Sequence, residues 1–169
     1  MKRDSQRARV YRWQQAEIPG IWVCVPLEDC AQLITMVCRD IGFKTPVVMA
    51  KRGHLSMANT RNIWLSPKGQ TFVIALHELA HSITQRVFGI FGDSIAGHGP
   101  EFVRMFLWLL EHYYDGPGAQ ALSLTPSLYG VKVSSYGVVD VIFDRLAYIN
   151  IVMDKTIVHP MEEVLYGKE

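Results

Sequence analysis

Between Leu27 and Ile41 the apolar residues Leu27, Cys30, Leu33, Ile34, Val37, Cys38 and Ile41 recur three or four positions apart, with Glu28, Asp29, Gln32, Arg39 and Asp40 on the opposite side. That period predicts an amphipathic helix opening after Pro26 and stopped by Gly42. From Lys44 to Pro67 the pattern changes to short β-rich pieces, residues 47–49, 54–58 and 61–65, separated by Arg52-Gly53 and Asn59-Thr60. This spacing predicts a small antiparallel sheet. A further helix is expected to open near residues 68–70 and to run to Phe88, with Gly89 as its stop. Its unbroken apolar run at residues 72–76 requires a first half buried on all sides. A loop at residues 89–99, rich in glycine and polar residues, leads to a helix starting at Pro100, where a proline sacrifices no amide hydrogen that the helix would use. Asp115-Gly116-Pro117-Gly118 ends that helix near Tyr114. Beyond it, residues 119–122 read as helical, 129–133 as a strand and 138–152 as a helix. The expectation is an α+β fold, zincin-like, with a small antiparallel sheet packed on helices.

With 169 residues, 49% hydrophobic and 20% charged, the chain suits one domain with a sizeable core, residues 131–169 forming a C-terminal extension of unassigned role. Seventeen Lys and Arg against sixteen Asp and Glu give a net charge of +1, so no global field draws the molecule to nucleic acid or anionic lipid. Cys24, Cys30 and Cys38 form an odd set without a Cys-x-x-Cys pair, which argues against a disulfide framework and a cysteine zinc ribbon. Cys30 and Cys38, on the apolar side of the first amphipathic helix, read as small core residues. Residues 1–13 are polar and basic with no apolar stretch behind them, and no run of about 18 apolar residues follows. A cytoplasmic protein without a membrane partner is the expectation. Lys2, Arg3, Arg7, Arg9 and Arg12 crowd this start against Asp4. They read as a solvated arm or first helix, with a local contact to phosphate or an acidic partner as the alternative and weak binding of nucleic acid at most.

The chemistry enters within the apolar helix as His77-Glu78-Leu79-Ala80-His81. Histidines four residues apart project from one helical face and can hold one zinc ion, while Glu78, rotated by about 100°, can reach a water on that ion. A hydrolytic zinc site needs a third protein ligand. Thr84 and Val87 stand where the metzincin pattern requires glycine and histidine, which excludes that class. Asp93, His98 and Glu101 are the candidates, and His98 sits in the glycine-flanked turn Gly97-His98-Gly99-Pro100. Tyr113, Tyr129, Tyr136 and His112 are candidate oxyanion donors, and His54 and His159 read as structural. Asn62, Ile63, Trp64, Leu65 and Ser66 read as an edge strand on which an extended peptide can be laid.

His77-Glu78-x-x-His81 followed by Gly97-His98-Gly99-Pro100-Glu101-Phe102 resembles the SprT-like zinc metallopeptidases, whose members include a protease of DNA–protein crosslink repair. The resemblance covers residues 61–114. It implies one zinc ion held by His77, His81 and His98, Glu78 as the catalytic base, and a protein or peptide substrate. Several members end in a cysteine zinc ribbon, whereas this chain has no cysteine after Cys38, so a role in crosslink repair does not follow from the catalytic core. The readings from other classes are a binding or assembly protein with a structural zinc, and a zinc hydrolase of a non-peptide substrate.

Overall fold

The basic start of the chain folds into the body of the protein. In the computed structural model, which describes residues 3–116 and 119–157, Arg7–Glu17 forms helix α1 with Val10, Trp13 and Gln14 buried. Trp13 donates from Nε1 to Thr125 Oγ1 at 2.7 Å and meets Phe106 edge-on. Val10 and Trp13, both fully buried, anchor the helix, since each apolar side chain removed from water contributes about 1.5–3 kcal/mol. Of the two readings of this start, a solvated arm or a first helix, the described residues form the helix, and it is docked on the core. The density of arginine masks its short apolar stripe in any count of charge.

Helix α2 (Leu27–Asp40) follows the predicted period, burying Cys30, Ile34, Val37 and Cys38, and the chain leaves it through Gly42 at φ 67°. Both thiols stay inert in the core: burial pushes Cys30 up to about 11 and Cys38 up to about 12.

Strands β1 (Val47–Ala50), β2 (Met57–Ala58) and β3 (Asn62–Leu65) form one sheet in the order β1-β3-β2. The sheet is mixed and not antiparallel throughout: β3 pairs in parallel with β1 and antiparallel with β2. The tight connection from β2 to β3 makes the second pair a hairpin, its turn fixed by Asn59 Oδ1, which accepts from the amides of Arg61 and Asn62. The segment after β1 carries the chain across to the far side of β3. The expected strand at residues 54–58 shrinks to Met57–Ala58, and Asn62–Leu65 is the central strand instead of an edge, with Ile63 and Leu65 fully buried. Partners on both sides occupy the ladder positions an incoming peptide would need, so the binding edge read at residues 62–66 is corrected.

Helix α3 (Phe72–Ile90) starts later than expected because Pro67–Gly69 makes a 3-10 turn and Thr71 caps the helix, its Oγ1 accepting from Ile74 N at 3.1 Å. It runs past Gly89, and the left-handed residue after its end is Gly92 at φ 74°. Every residue from Ala75 to Thr84 is buried. The all-round burial thus lies over the middle of the helix, where the histidine motif sits. Ser82 Oγ donates to Asn59 O at 2.8 Å and ties the motif to the β2–β3 turn.

Helix α4 (Pro100–Tyr113) packs on α3 and buries Phe102, Val103, Met105, Phe106, Leu107, Leu109 and Leu110. The strand expected at residues 129–133 is absent: Pro126–Tyr129 is a 3-10 turn closed by Gly130 at φ 65°. Helix α5 (Gly137–Ile157) covers α3 and α4, with Val139, Ile142, Leu146 and Ile149 buried at helical spacing. Asn150 donates to Gly42 O at 2.7 Å and Arg145 pairs with Asp93. The described part of the extension therefore completes the core. Buried residues from the five helices and β3 form one apolar cluster. Among the described residues no helix is long and apolar enough to cross a membrane. His159 lies outside the described residues.

Candidate metal centre

Three imidazoles meet inside this core. His77 and His81 come from one face of α3, and His98 comes from the turn before α4; their ligand nitrogens all lie within 4.8 Å of one another. Two nitrogens on a tetrahedral zinc stand about 3.4 Å apart when each Zn–N bond is about 2.1 Å, so modest ring adjustment brings the set onto one ion. The ring centroids are 4.8 Å apart for His77 and His81, 5.4 Å for His77 and His98, and 4.7 Å for His81 and His98. His77, His81 and His98 are 2%, 9% and 5% exposed, which is far from the solvated face that surface histidines occupy.

A buried imidazole normally finds a hydrogen-bond partner. Here His77 Nδ1, His81 Nδ1 and His98 Nε2 are buried without one. Three such nitrogens in one cluster are costly in a core built only for packing, whereas a metal-binding set needs unprotonated nitrogens. Burial and the neighbouring His81 and His98 hold His77 well below the usual imidazole range. Burial, with His98 and Arg7, lowers His81 to about 3. Burial likewise lowers His98, against the hydrogen bond and charge of Asp4. All three rings are neutral at pH 7 and fit a divalent cation that takes nitrogen ligands.

The rings are fixed by apolar contacts. Phe102 stacks on His81 at 4.1 Å and meets His77 and His98 edge-on at 4.9 and 5.1 Å, while Phe106 meets His77 at 5.2 Å. Tyr11 of α1 stacks on His77 at 5.9 Å and lies edge-on to His98 at 4.9 Å. Asp4 Oδ2 accepts from His98 Nδ1 at 2.7 Å. Phe102 has a sequence signal, standing four residues after His98 and on the buried face of α4. Asp4 and Tyr11 have none, because 94 and 87 residues separate them from His98 and only the fold brings them together.

Glu78, 6% exposed, shares a cleft with His77. Tyr11 and Gln14 of α1, Trp22, Lys68 and the segment His54, Leu55, Ser56 line the same cleft. Burial raises the Glu78 carboxyl to about 8, with Lys51 opposing the rise. His54, read as structural, therefore stands beside the candidate site. The expected oxyanion donors do not line the cleft: Tyr129 donates to Glu17, Tyr136 to Glu111, and His112 bonds Trp108 O, while Tyr113 lies beside a separate groove with Tyr114. Asp93 is engaged by Arg145, and Glu101 lies outside the histidine cluster.

No family model, curated protein or solved structure matches the chain.

Burial of the three histidines and of Glu78 is expected to make the stability of the metal-free protein depend on pH. Between about pH 6.5 and the lower folded values, reaching about 3 for His81, the unfolded chain binds protons that the folded histidines refuse, so stability falls as pH falls. Between about 4.5 and 8 the folded Glu78 keeps a proton that the unfolded chain has lost, so stability falls as pH rises. Chelated protein is expected to be most stable near pH 6.5 and weaker at pH 8 by on the order of 1–2 kcal/mol, since one extra proton held by the folded state costs about 1.4 kcal/mol for each pH step of one. Urea unfolding at pH 5, 6.5 and 8 checks this, with Glu78→Gln flattening the alkaline side. Equal stability of the parent at pH 6.5 and 8 would refute the role given to Glu78.

Proposed function

We propose that this chain is a zinc-dependent metallopeptidase of SprT-like type that hydrolyses peptide bonds in protein substrates. The observation that carries the reading is the buried carboxyl of Glu78 in the same cleft as His77, one of three clustered, neutral and incompletely bonded histidines. A purely structural site requires the ligands but no carboxyl next to them. His77, His81 and His98 would hold the ion, and Phe102 keeps their rings in place. When bound, zinc supplies Lewis acidity, which makes water a nucleophile at neutral pH and polarises a scissile carbonyl. Glu78 accepts the proton of the attacking water and delivers it to the leaving amine. Its raised pKa in the metal-free site suits a group that must both take and return a proton, and a cation beside it would favour its ionised form.

With β3 at the centre of the sheet, the peptide-binding edge of this reading is residues 54–58 in place of 62–66. β2 is at the sheet margin, and His54, Leu55 and Ser56 immediately before it line the cleft. An extended chain laid there can use backbone hydrogen bonds for affinity while Leu55 and Trp22, 65% and 57% exposed, offer apolar contacts to its side chains. Zinc-loaded protein is expected to cleave an unfolded protein or short peptides, to stop on chelation and to recover on addition of zinc. Inactivity on both substrate types with zinc bound would favour the structural-zinc reading, and turnover confined to non-peptide esters or amides would favour the other hydrolase reading.

A further inference from the structure

The N-terminal segment reaches the candidate centre through more than one bond. Besides the contact of Asp4 with the ring of His98, Gln6 is 4% exposed and its Nε2 donates to His98 O at 2.8 Å and to Lys132 O at 3.0 Å. Its Oε1 accepts from Lys132 N at 2.8 Å. Gln6 thereby fastens the His98 turn to the segment before α5. Five residues further along, in the second turn of α1, Tyr11 packs against both His77 and His98.

The glycine before His98 belongs to the same arrangement. A Cβ added at Gly97 would stand 3.3 Å from Asp4 Oδ2, tighter than ordinary contact, so the missing side chain leaves room for the carboxylate. A carboxylate offers only acceptors, so Nδ1 of a neutral His98 carries the proton and Nε2 carries the lone pair. That Nε2 is the buried nitrogen without a partner.

We propose that Asp4 is a positioning residue of the metal centre: it fixes the tautomer and orientation of His98, and Gln6 fixes the backbone behind it, so that metal binding and docking of the N-terminal segment stabilise each other. The inference rests on the metal-site part of the proposed function and is independent of the bond cleaved. A carboxylate behind a metal-ligating histidine raises its basicity and holds its ring, and loss of such a partner typically weakens metal binding 10- to 100-fold. Reciprocity then requires that the bound metal hold the segment in return.

Zinc affinity of the full-length parent, Asp4→Ala and Asp4→Asn, measured by competition with a chromophoric chelator, tests the assignment together with the visible spectrum of the Co2+-loaded proteins. Asp4→Ala should bind zinc about 10- to 100-fold more weakly. Asp4→Asn should lie between the two, because an amide oxygen still accepts from Nδ1 but carries no charge, and the Co2+ spectrum of Asp4→Ala should differ from that of the parent. Hydrogen exchange supplies a second readout: zinc should slow exchange at residues 6–11 of the parent and do so less in Asp4→Ala. Unchanged affinity and Co2+ spectrum in Asp4→Ala would overturn the positioning role, even if that variant were less stable without metal. A parent that binds no zinc would instead overturn the metal centre itself.

Discussion

Glu78→Gln is expected to leave fold and zinc content intact while lowering kcat/KM on a peptide substrate by about 10²–10⁴-fold, the contribution typical of a positioned acid–base group. That loss corresponds to about 3–5 kcal/mol of transition-state stabilisation. The amide fills the volume of the carboxyl but cannot accept a proton. Packing around the site should be retained, because Glu78 is not a member of the three-histidine cluster and the glutamine adds no bulk at its buried position on α3. Metal analysis, far-ultraviolet circular dichroism and a steady-state assay on the same preparations separate the alternatives. Activity within a few-fold of the parent would remove Glu78 as the base, and loss of zinc alongside activity would make it a structural support instead.

The part of this site legible in the sequence is the part that one helix dictates. His77, Glu78 and His81 are close along the chain, and a 3.6-residue period sets their directions before tertiary structure is considered. His98 is reachable because its turn abuts a helix with proline at the first position, which limits where that side chain can project. The sheet is less legible. Ile63 and Leu65 alternate inward in a central strand just as they would in an edge strand, so the pattern reports a buried face and not the number of neighbours. Parallel pairing of β1 with β3 depends on where the intervening segment crosses, which no local period encodes. Asp4, Gln6 and Tyr11 are obscured for a different reason: their neighbours in sequence are arginines, and a charge-rich composition reads as solvated even where Val10 and Trp13 drive the element into the core. The helix at α5 is legible from its period, whereas its function in covering α3 and α4 depends on the contacts it makes.

His98→Ala is expected to weaken zinc binding by more than the 10- to 100-fold typical for loss of a hydrogen-bonded partner behind a ligand, because it removes one of three direct ligand groups. The competing candidates predict different patterns. Asp93 pairs with Arg145, so Asp93→Asn should weaken the contact between the loop and α5 without altering zinc affinity. Glu101 lies in the first turn of α4, where its charge complements the helix dipole, and Glu101→Gln should leave zinc affinity within a few-fold of the parent. The alanine at position 98 also removes an imidazole whose ring touches Phe102 and Tyr11, so a loss of packing must be distinguished from a loss of coordination. His98→Gln provides that distinction by restoring polar bulk without an imidazole nitrogen, and unfolding of the chelated variants measures the packing part directly. Zinc affinity lost in both His98 variants, with Asp93→Asn and Glu101→Gln unaffected, assigns the third ligand to His98. Undiminished zinc in His98→Ala together with loss in Glu101→Gln would transfer the role to Glu101, and loss only in Asp93→Asn would transfer it to the loop.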